Sequence, residues 1–298
     1  MARLRLIAAA IAVALIAGCP YSSAAAPRPL FPVTVDTAAG QVQINSRPQR
    51  IISLSATATE NLFAIGAGAQ VIAVDDQSNY PATAPMTKLS GFHPNAEAIA
   101  AYKPDLVVVS GSSIVSSLHR LGITVILDPA AKNLSEAYNQ IRQLGAATGH
   151  PARAARVVKS MQVQLTKLIR SVPNRSRHLK VFHELSPDLY SATSATFIGQ
   201  IYRLFGFRNI ADDADPTHSG YPKLSGEYVI ASNPDLVVLS DTKCCGQSAA
   251  TVAQRPGWTN VNAVKRNGIV PVSDDIASRW GPRVVEFARL VAQVARRS

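Results

Sequence analysis

Two stretches of this chain are copies of one another. Glu97-Ala-Ile-Ala-Ala-Tyr-Lys-Pro-Asp-Leu-Val-Val-Val-Ser110 matches Glu227-Tyr-Val-Ile-Ala-Ser-Asn-Pro-Asp-Leu-Val-Val-Leu-Ser240 at a constant offset of 130, with eight of fourteen positions identical. The same offset sets the β-rich run Arg50-Ile-Ile-Ser-Leu54 opposite Lys180-Val-Phe-His-Glu184. A duplicated unit of this kind builds two similar lobes. Within each copy a short helix, Ala96 to Tyr102 or Gly226 to Ser232, stops before a proline, because the residue ahead of a proline is pushed out of the helical region. Leu106 to Val109 and Leu236 to Leu239 are continuous apolar runs, the pattern of parallel strands buried on both faces.

Val71 to Val74, Val125 to Leu127 and Ile269 to Val272 read as further strands, and Phe197 to Leu204 as an amphipathic helix between strands. The expected fold is therefore α/β, with each lobe a parallel sheet covered by helices. Between the copies, Val157, Val158, Met161, Leu165, Leu168, Ile169 and Val172 recur at helical spacing behind Pro151, which suits a first helical position. At 1.5 Å per residue this is a rod of about 30 Å, long enough to join one lobe to the other. The expected organisation is an N-terminal lobe over 33–150, a connecting helix over 151–172, a C-terminal lobe over 173–298 and a ligand cleft between the lobes.

The start of the chain has its own pattern. Arg3 and Arg5 precede an apolar run from Leu6 to Ile16 and then Ile16-Ala17-Gly18-Cys19. That is a secretory signal over 1–18 ending in a lipobox, so Cys19 is the expected lipidation site. The run is shorter than the roughly 20 residues needed to span a bilayer. Residues 19–32, rich in Ala, Ser and Pro, form the expected flexible tether, and the protein is expected outside the cytoplasm on a membrane anchor.

The formal charge of +11 falls to +9 without Arg3 and Arg5. Such a balance suits an anionic partner, but the basic residues are scattered along the sequence. The densest group, Arg170, Arg175, Arg177, His178 and Lys180, lacks the interleaved aromatics that stack bases. A solvated face is the reading, with no nucleic-acid partner. Only Cys244 and Cys245 accompany Cys19, so no disulfide framework staples the fold. The adjacent pair is expected to close a strained, labile disulfide, with metal capture by two thiolates as the other option. No Gly-x-Ser-x-Gly, Gly-x-x-x-x-Gly-Lys or His-Glu-x-x-His motif is present, so no catalytic residue or cofactor is expected and the chain does not read as an enzyme.

Arg50-Ile-Ile-Ser-Leu-Ser-Ala-Thr-Ala-Thr-Glu-Asn-Leu-Phe-Ala-Ile-Gly66, Ser78-Asn-Tyr-Pro81, both Pro-Asp-Leu-Val-Val segments and Arg279-Trp-Gly-Pro-Arg283 carry a resemblance. From about Arg47 onward the chain resembles the ABC-importer binding proteins for cobalamin, haem and ferric siderophores, with the first segment and Tyr80-Pro81 most like the cobalamin receptors. The resemblance implies a monomeric receptor that delivers a corrinoid, haem or ferric siderophore to a permease dimer driven by a cytoplasmic ATPase. A surface enzyme on the same scaffold is the more distant reading.

Tyr80, Phe92, Tyr190 and Tyr221 fall in loops after strands or beside turn prolines, where aromatics line a cleft. Phe92 and Tyr221 stand where the cobalamin receptors would carry tryptophan. Asp275 and Arg279 are also expected to bind ligand. His93 and His218 border the cleft as axial ligands of a haem iron or cobalt, or serve as surface residues; no close-spaced histidine pair marks a bare metal site. Thr57-Ala-Thr-Glu60 reads as a capping box that opens a helix toward the ligand. Glu97 and Glu227 hold equivalent places in the two copies, and the resemblance implies that they dock to arginines of the two permease subunits.

Overall fold

The computed structural model describes residues 30–176 and 178–297; the signal, Cys19 and most of the tether lie outside them. An antiparallel hairpin, β1 (Val33–Thr37) and β2 (Gly40–Ile44), opens the described chain. The first lobe then runs β3 (Ile51–Leu54), α1 (Ala56–Ala64), β4 (Val71–Val74), α2 (Ala96–Ala100), β5 (Leu106–Val109), α3 (Val115–Arg120), β6 (Val125–Leu127) and α4 (Leu134–Ala147). After α5 (Pro151–Ser171) come β7 (Lys180–Glu184), α6 (Phe197–Leu204), β8 (Arg208–Asn209), α7 (Gly226–Ser232) and β9 (Leu236–Leu239). Three short helices follow, α8 (Thr242–Cys245), α9 (Ala249–Ala253) and α10 (Asn262–Lys265); then β10 (Ile269–Pro271), α11 (Asp274–Ala277) and α12 (Val284–Ala295).

The two sheets share one topology. The first has the order β4-β3-β5-β6 and the second β8-β7-β9-β10, all pairs parallel. The duplicated Pro-Asp explains part of this likeness. Asp105, at the entry to β5, accepts the amides of Gln49 at 2.7 Å and Arg50 at 3.0 Å, fastening the start of β3. Asp235 does the same for β7, taking the Lys180 amide at 2.9 Å. One carboxylate per lobe thus fixes the register of the two central strands.

Alternation along each strand distributes the core. Ile51, Leu106, Val108 and Ile126 point inward with Val181, Leu236, Val238 and Val270 of the other lobe, in one apolar cluster that also takes in α4, α5 and α12. The opposite faces carry their own clusters, Ile52, Val107 and Val109 under α2 and α3, and Phe182, Val237 and Leu239 with Trp258. The connecting helix buries Ala154, Val158, Met161 and Leu165 and turns its other side to solvent. It ends one residue before the expected bound, with Val172 already extended. No described helix is long and apolar enough to cross a membrane.

Candidate functional site

In both sheets the strand order reverses beside the first central strand, between β3 and β5 and between β7 and β9. Ligands of parallel α/β sheets sit outside the carboxyl ends of strands at such points. The two lobes use theirs differently.

At the first point lies a hollow of about 320 Å³. Leu54 and Ser110, at the ends of β3 and β5, form its floor, with Thr57, Asp75 and Phe92 around it; Asp275, Ser278, Arg279 and Trp280 face them from the other lobe. Ser55 caps α1 by accepting the Ala58 amide at 3.3 Å, so the Ala56 and Thr57 amides lie in the first turn, where no intrahelical acceptor exists. Thr57 is 4% exposed, and its hydroxyl has no hydrogen-bond partner among the described residues. Burial raises the Asp75 carboxyl above its usual range, against the Ser78 hydroxyl that donates to it. Gly91 packs so near that an added Cβ would stand 2.5 Å from the other Asp75 oxygen and 2.9 Å from the Leu54 carbonyl, so only glycine lets this segment close on the hollow.

The second switch point is plugged. Glu184, fully buried, takes two hydrogen bonds from Arg255 at 2.6 and 2.5 Å, and the guanidinium lies over the Trp258 ring. Asp241 beside it is fully buried, with neither carboxylate oxygen partnered among the described residues. Burial, then the Glu184 charge, pushes its pKa up to about 7.

Between the lobes runs a buried cluster of charges. Arg279 donates to Glu60 at 2.8 Å, to the Asn79 side chain at 2.9 Å, to the Gln77 carbonyl at 2.9 Å and to Asp275 at 2.8 Å. Arg283 holds Glu60 through Nε at 3.0 Å and Nη2 at 2.6 Å. Glu60 is 3% and Arg279 7% exposed. Lys243 reaches Asp275 at 3.3 Å from the rim.

This arrangement revises several expectations. Thr57-Ala-Thr-Glu60 is not a capping box: Ser55 is the cap, and Glu60, one turn into α1, points at the arginines of the other lobe. Arg279 lines the hollow, but two carboxylates hold its charge, which leaves it a wall clamp rather than a free donor. Cys244 and Cys245 are free, exposed thiols on α8 and not a disulfide. Adjacent residues across a trans peptide have Cα atoms about 3.8 Å apart, below the 4.4–6.8 Å that a disulfide prefers, and the two sulfurs meet as hydrogen-bonded thiols. The Cys244 thiol, in contact with Cys245 and near Asp274, is pushed up to about 12.

The aromatics are not gathered in one place. Phe92, 78% exposed, lines the hollow with Asp275. Tyr80 lies under the Arg283 guanidinium at 4.1 Å and lines an adjoining hollow with Phe63, Pro81 and Pro282. Tyr190 and Tyr221 are half-exposed and line neither; Lys223 covers the Tyr190 ring. His93 follows Phe92, exposed, while His218 lies with Asp215 and Arg203 at a separate surface hollow. Among the described residues no three His, Cys, Asp or Glu side chains are placed to hold a metal ion. Glu97 and Glu227 stand exposed in the first turns of α2 and α7, capped in the same way by Asn95 and Ser225.

The sequence reading missed Asp75, Ser110 and Asn79, and placed Thr57 at the ligand only as a helix cap. A signal existed for Ser110, which directly follows a predicted strand, where a parallel sheet presents its ligand face. None existed for Asn79, whose partners lie about 200 residues away.

Known proteins agree with this architecture. An uncharacterised ABC transporter substrate-binding lipoprotein of Bacillus subtilis is 32% identical, the match covering 95% of this chain and 93% of that one. A cobalamin-binding protein of Halobacterium salinarum is 30% identical over 86% of this chain and 72% of its own. A crystal structure from Staphylococcus epidermidis, described as a possible iron-binding periplasmic solute-binding protein, superposes with a TM-score of 0.72 at 28% identity, covering 84% of this chain and 99% of that one. The periplasmic binding protein family profile matches residues 51–275, across both lobes and the helix between them, and the chain belongs to that family.

Proposed function

We propose that this protein is the substrate-binding lipoprotein of an ABC importer and that its cleft takes a corrinoid. The observation that carries the ligand class is the charge balance of the hollow. Its one cation, Arg279, is held by Glu60 and Asp275, and what remains is the Asp75 carboxyl with the hydroxyls of Thr57, Ser110 and Ser278. Such a wall hydrogen-bonds a neutral ligand edged with amides and repels one that presents carboxylates. Phe92 supplies an exposed flat face for a macrocycle. The relative named as cobalamin-binding supports the same class.

In this reading residues 1–18 are a cleaved signal, Cys19 carries lipid, residues 19–32 tether the body, and the lobes 33–150 and 173–298 close on the ligand about the helix 151–172. Asp275, Phe92 and His93 meet the ligand first, Tyr80 flanks it, and Tyr190 and Tyr221 serve only a ligand large enough to overrun the hollow. Glu97 and Glu227 address the two halves of a permease, and the receptor performs no chemistry. The test is an absorption titration of the purified protein with cyanocobalamin, haemin and a ferric hydroxamate. Cyanocobalamin should bind stoichiometrically, and Phe92→Ala should weaken it about tenfold, the loss expected for one packed aromatic. Tight haemin binding without cyanocobalamin binding would overturn the corrinoid reading.

A further inference from the structure

The basic residues that look scattered in the sequence are gathered by the fold. Helices α4, α5 and α12 pack side by side. Together with the two residues after α12 they hold nine Lys and Arg but only two carboxylates, Glu136 and Glu286. That is an excess of seven, whereas residues 19–298 as a whole carry an excess of nine, Arg3 and Arg5 accounting for the rest of the +11. Most of the net charge therefore sits on one helical layer.

Helix α5 is its centre. It carries Arg153, Arg156, Lys159, Lys167 and Arg170, all exposed, with no acid anywhere in its 21 residues. None of the five has an ion pair or a side-chain hydrogen bond among the described residues. Arg289 and Arg296 lie along the same helix, donating to Gln164 at 3.4 Å and Ser171 at 2.8 Å. The two carboxylates are turned to other work: Glu136 accepts the Lys132 amide at the start of α4, and Glu286 faces Arg283. Holding like charges together without counter-charges costs free energy, and an anionic partner would relieve that cost.

We infer that the outer face of α5, with the arginines of α12 beside it, is a docking surface for an anionic phospholipid bilayer. A helix of about 30 Å sets its charges in a line long enough to meet several headgroups of a flat sheet at once, and Lys159, Lys167 and Arg170 frame a shallow hollow that can seat one of them. Val163, 49% exposed between Lys159 and Lys167, offers an apolar contact at the headgroup boundary. The choice of lipid as the anion rests on the lipoprotein reading. A 13-residue tether from Pro20 to Pro32 spans about 20 Å, which keeps the body within reach of the leaflet that holds Cys19.

The test uses the chain from residue 20 onward, since every described element lies between Val33 and Ala295. It is sedimented with vesicles of phosphatidylcholine, with and without phosphatidylglycerol. Binding is expected only to the anionic vesicles, and is expected to vanish in high salt. Reversing Arg156, Lys159 and Lys167 to Glu should weaken it more than about 100-fold, each charge being worth about fivefold near a surface. Three reversals elsewhere, Arg120→Glu, Lys265→Glu and Arg266→Glu, change the net charge equally and should cost far less. Equal losses from the two triple variants, absence of binding to anionic vesicles, or tighter binding to soluble polyphosphate than to vesicles would each overturn the inference. None of these outcomes bears on ligand binding in the cleft, which the titrations above decide.

Discussion

Asp128 and Glu60 are both buried carboxylates, and they meet opposite fates. Glu60 is gripped by two guanidinium groups. Asp128, 5% exposed at the end of β6, has one oxygen bonded to Gln143 at 3.0 Å and the other without a partner among the described residues, and burial pushes its pKa up to about 7. The folded protein therefore holds Asp128 protonated where the unfolded chain, near 3.8, would release the proton. Its contribution to stability is complete below about pH 4 and is lost as pH rises from there to about 7. Asp128→Asn removes that loss. The variant should gain on the wild type progressively from pH 4 to pH 7 and lead by on the order of 4 kcal/mol at pH 8, read as urea midpoints across pH. A constant difference across pH would mean that Asp128 ionises normally in the fold. Nothing local in the sequence marks this residue, because its environment comes from α4, which follows later in the chain. Glu60 was misread for a related reason: Ser55 and Thr57 are both chemically fit to cap, and only the arrival of Arg279 and Arg283 settles where the glutamate turns.

Elements were far more legible than single residues. The strands β5, β9, β4 and β6, the helices α6 and α7 and nearly all of α5 lie where the apolar runs and prolines put them, since periodicity reports burial directly. The equivalence of α2 and α7 also follows from the repeat, and the proposed docking by their acidic first turns is tested by reversing both charges. Glu97→Arg with Glu227→Arg would cost each helix only about 0.3–1 kcal/mol from its dipole, too little to unfold either lobe. At a permease offering arginines, two attractions would become two repulsions worth several kcal/mol. Uptake by cells carrying the double variant should be abolished while calorimetry finds ligand affinity within about twofold of wild type. Normal uptake would remove both residues from docking. Short segments were the hard case. α8 has four residues and owes its shape to Asp274, which accepts the Lys243 and Cys244 amides at 3.1 and 3.0 Å from 30 residues downstream. No pattern within Thr242–Cys245 announces that helix, and without it the adjacent cysteines invite a disulfide.

At the scale of the whole molecule the two lobes are held by more than their connecting helix. The inner apolar cluster runs through both, and the Glu60, Arg279 and Arg283 group is sealed at the seam. Removing one partner of a buried pair strands the others without solvent, which costs about 3–5 kcal/mol. Glu60→Gln should accordingly lower the melting temperature by on the order of 10 °C in scanning calorimetry, with the endotherm still single. A shift of a degree or less would show that water takes over the role of the carboxylate.

Glu60 and its partners are separated by 219 and 223 residues. A ribosome delivers the glutamate more than 200 residues before its arginines. Until then the first lobe holds a carboxylate at an uncovered seam, beside an apolar face whose other half does not yet exist. The nascent first lobe is no finished half: its seam closes only when Arg279 and Arg283 arrive to take up the carboxylate.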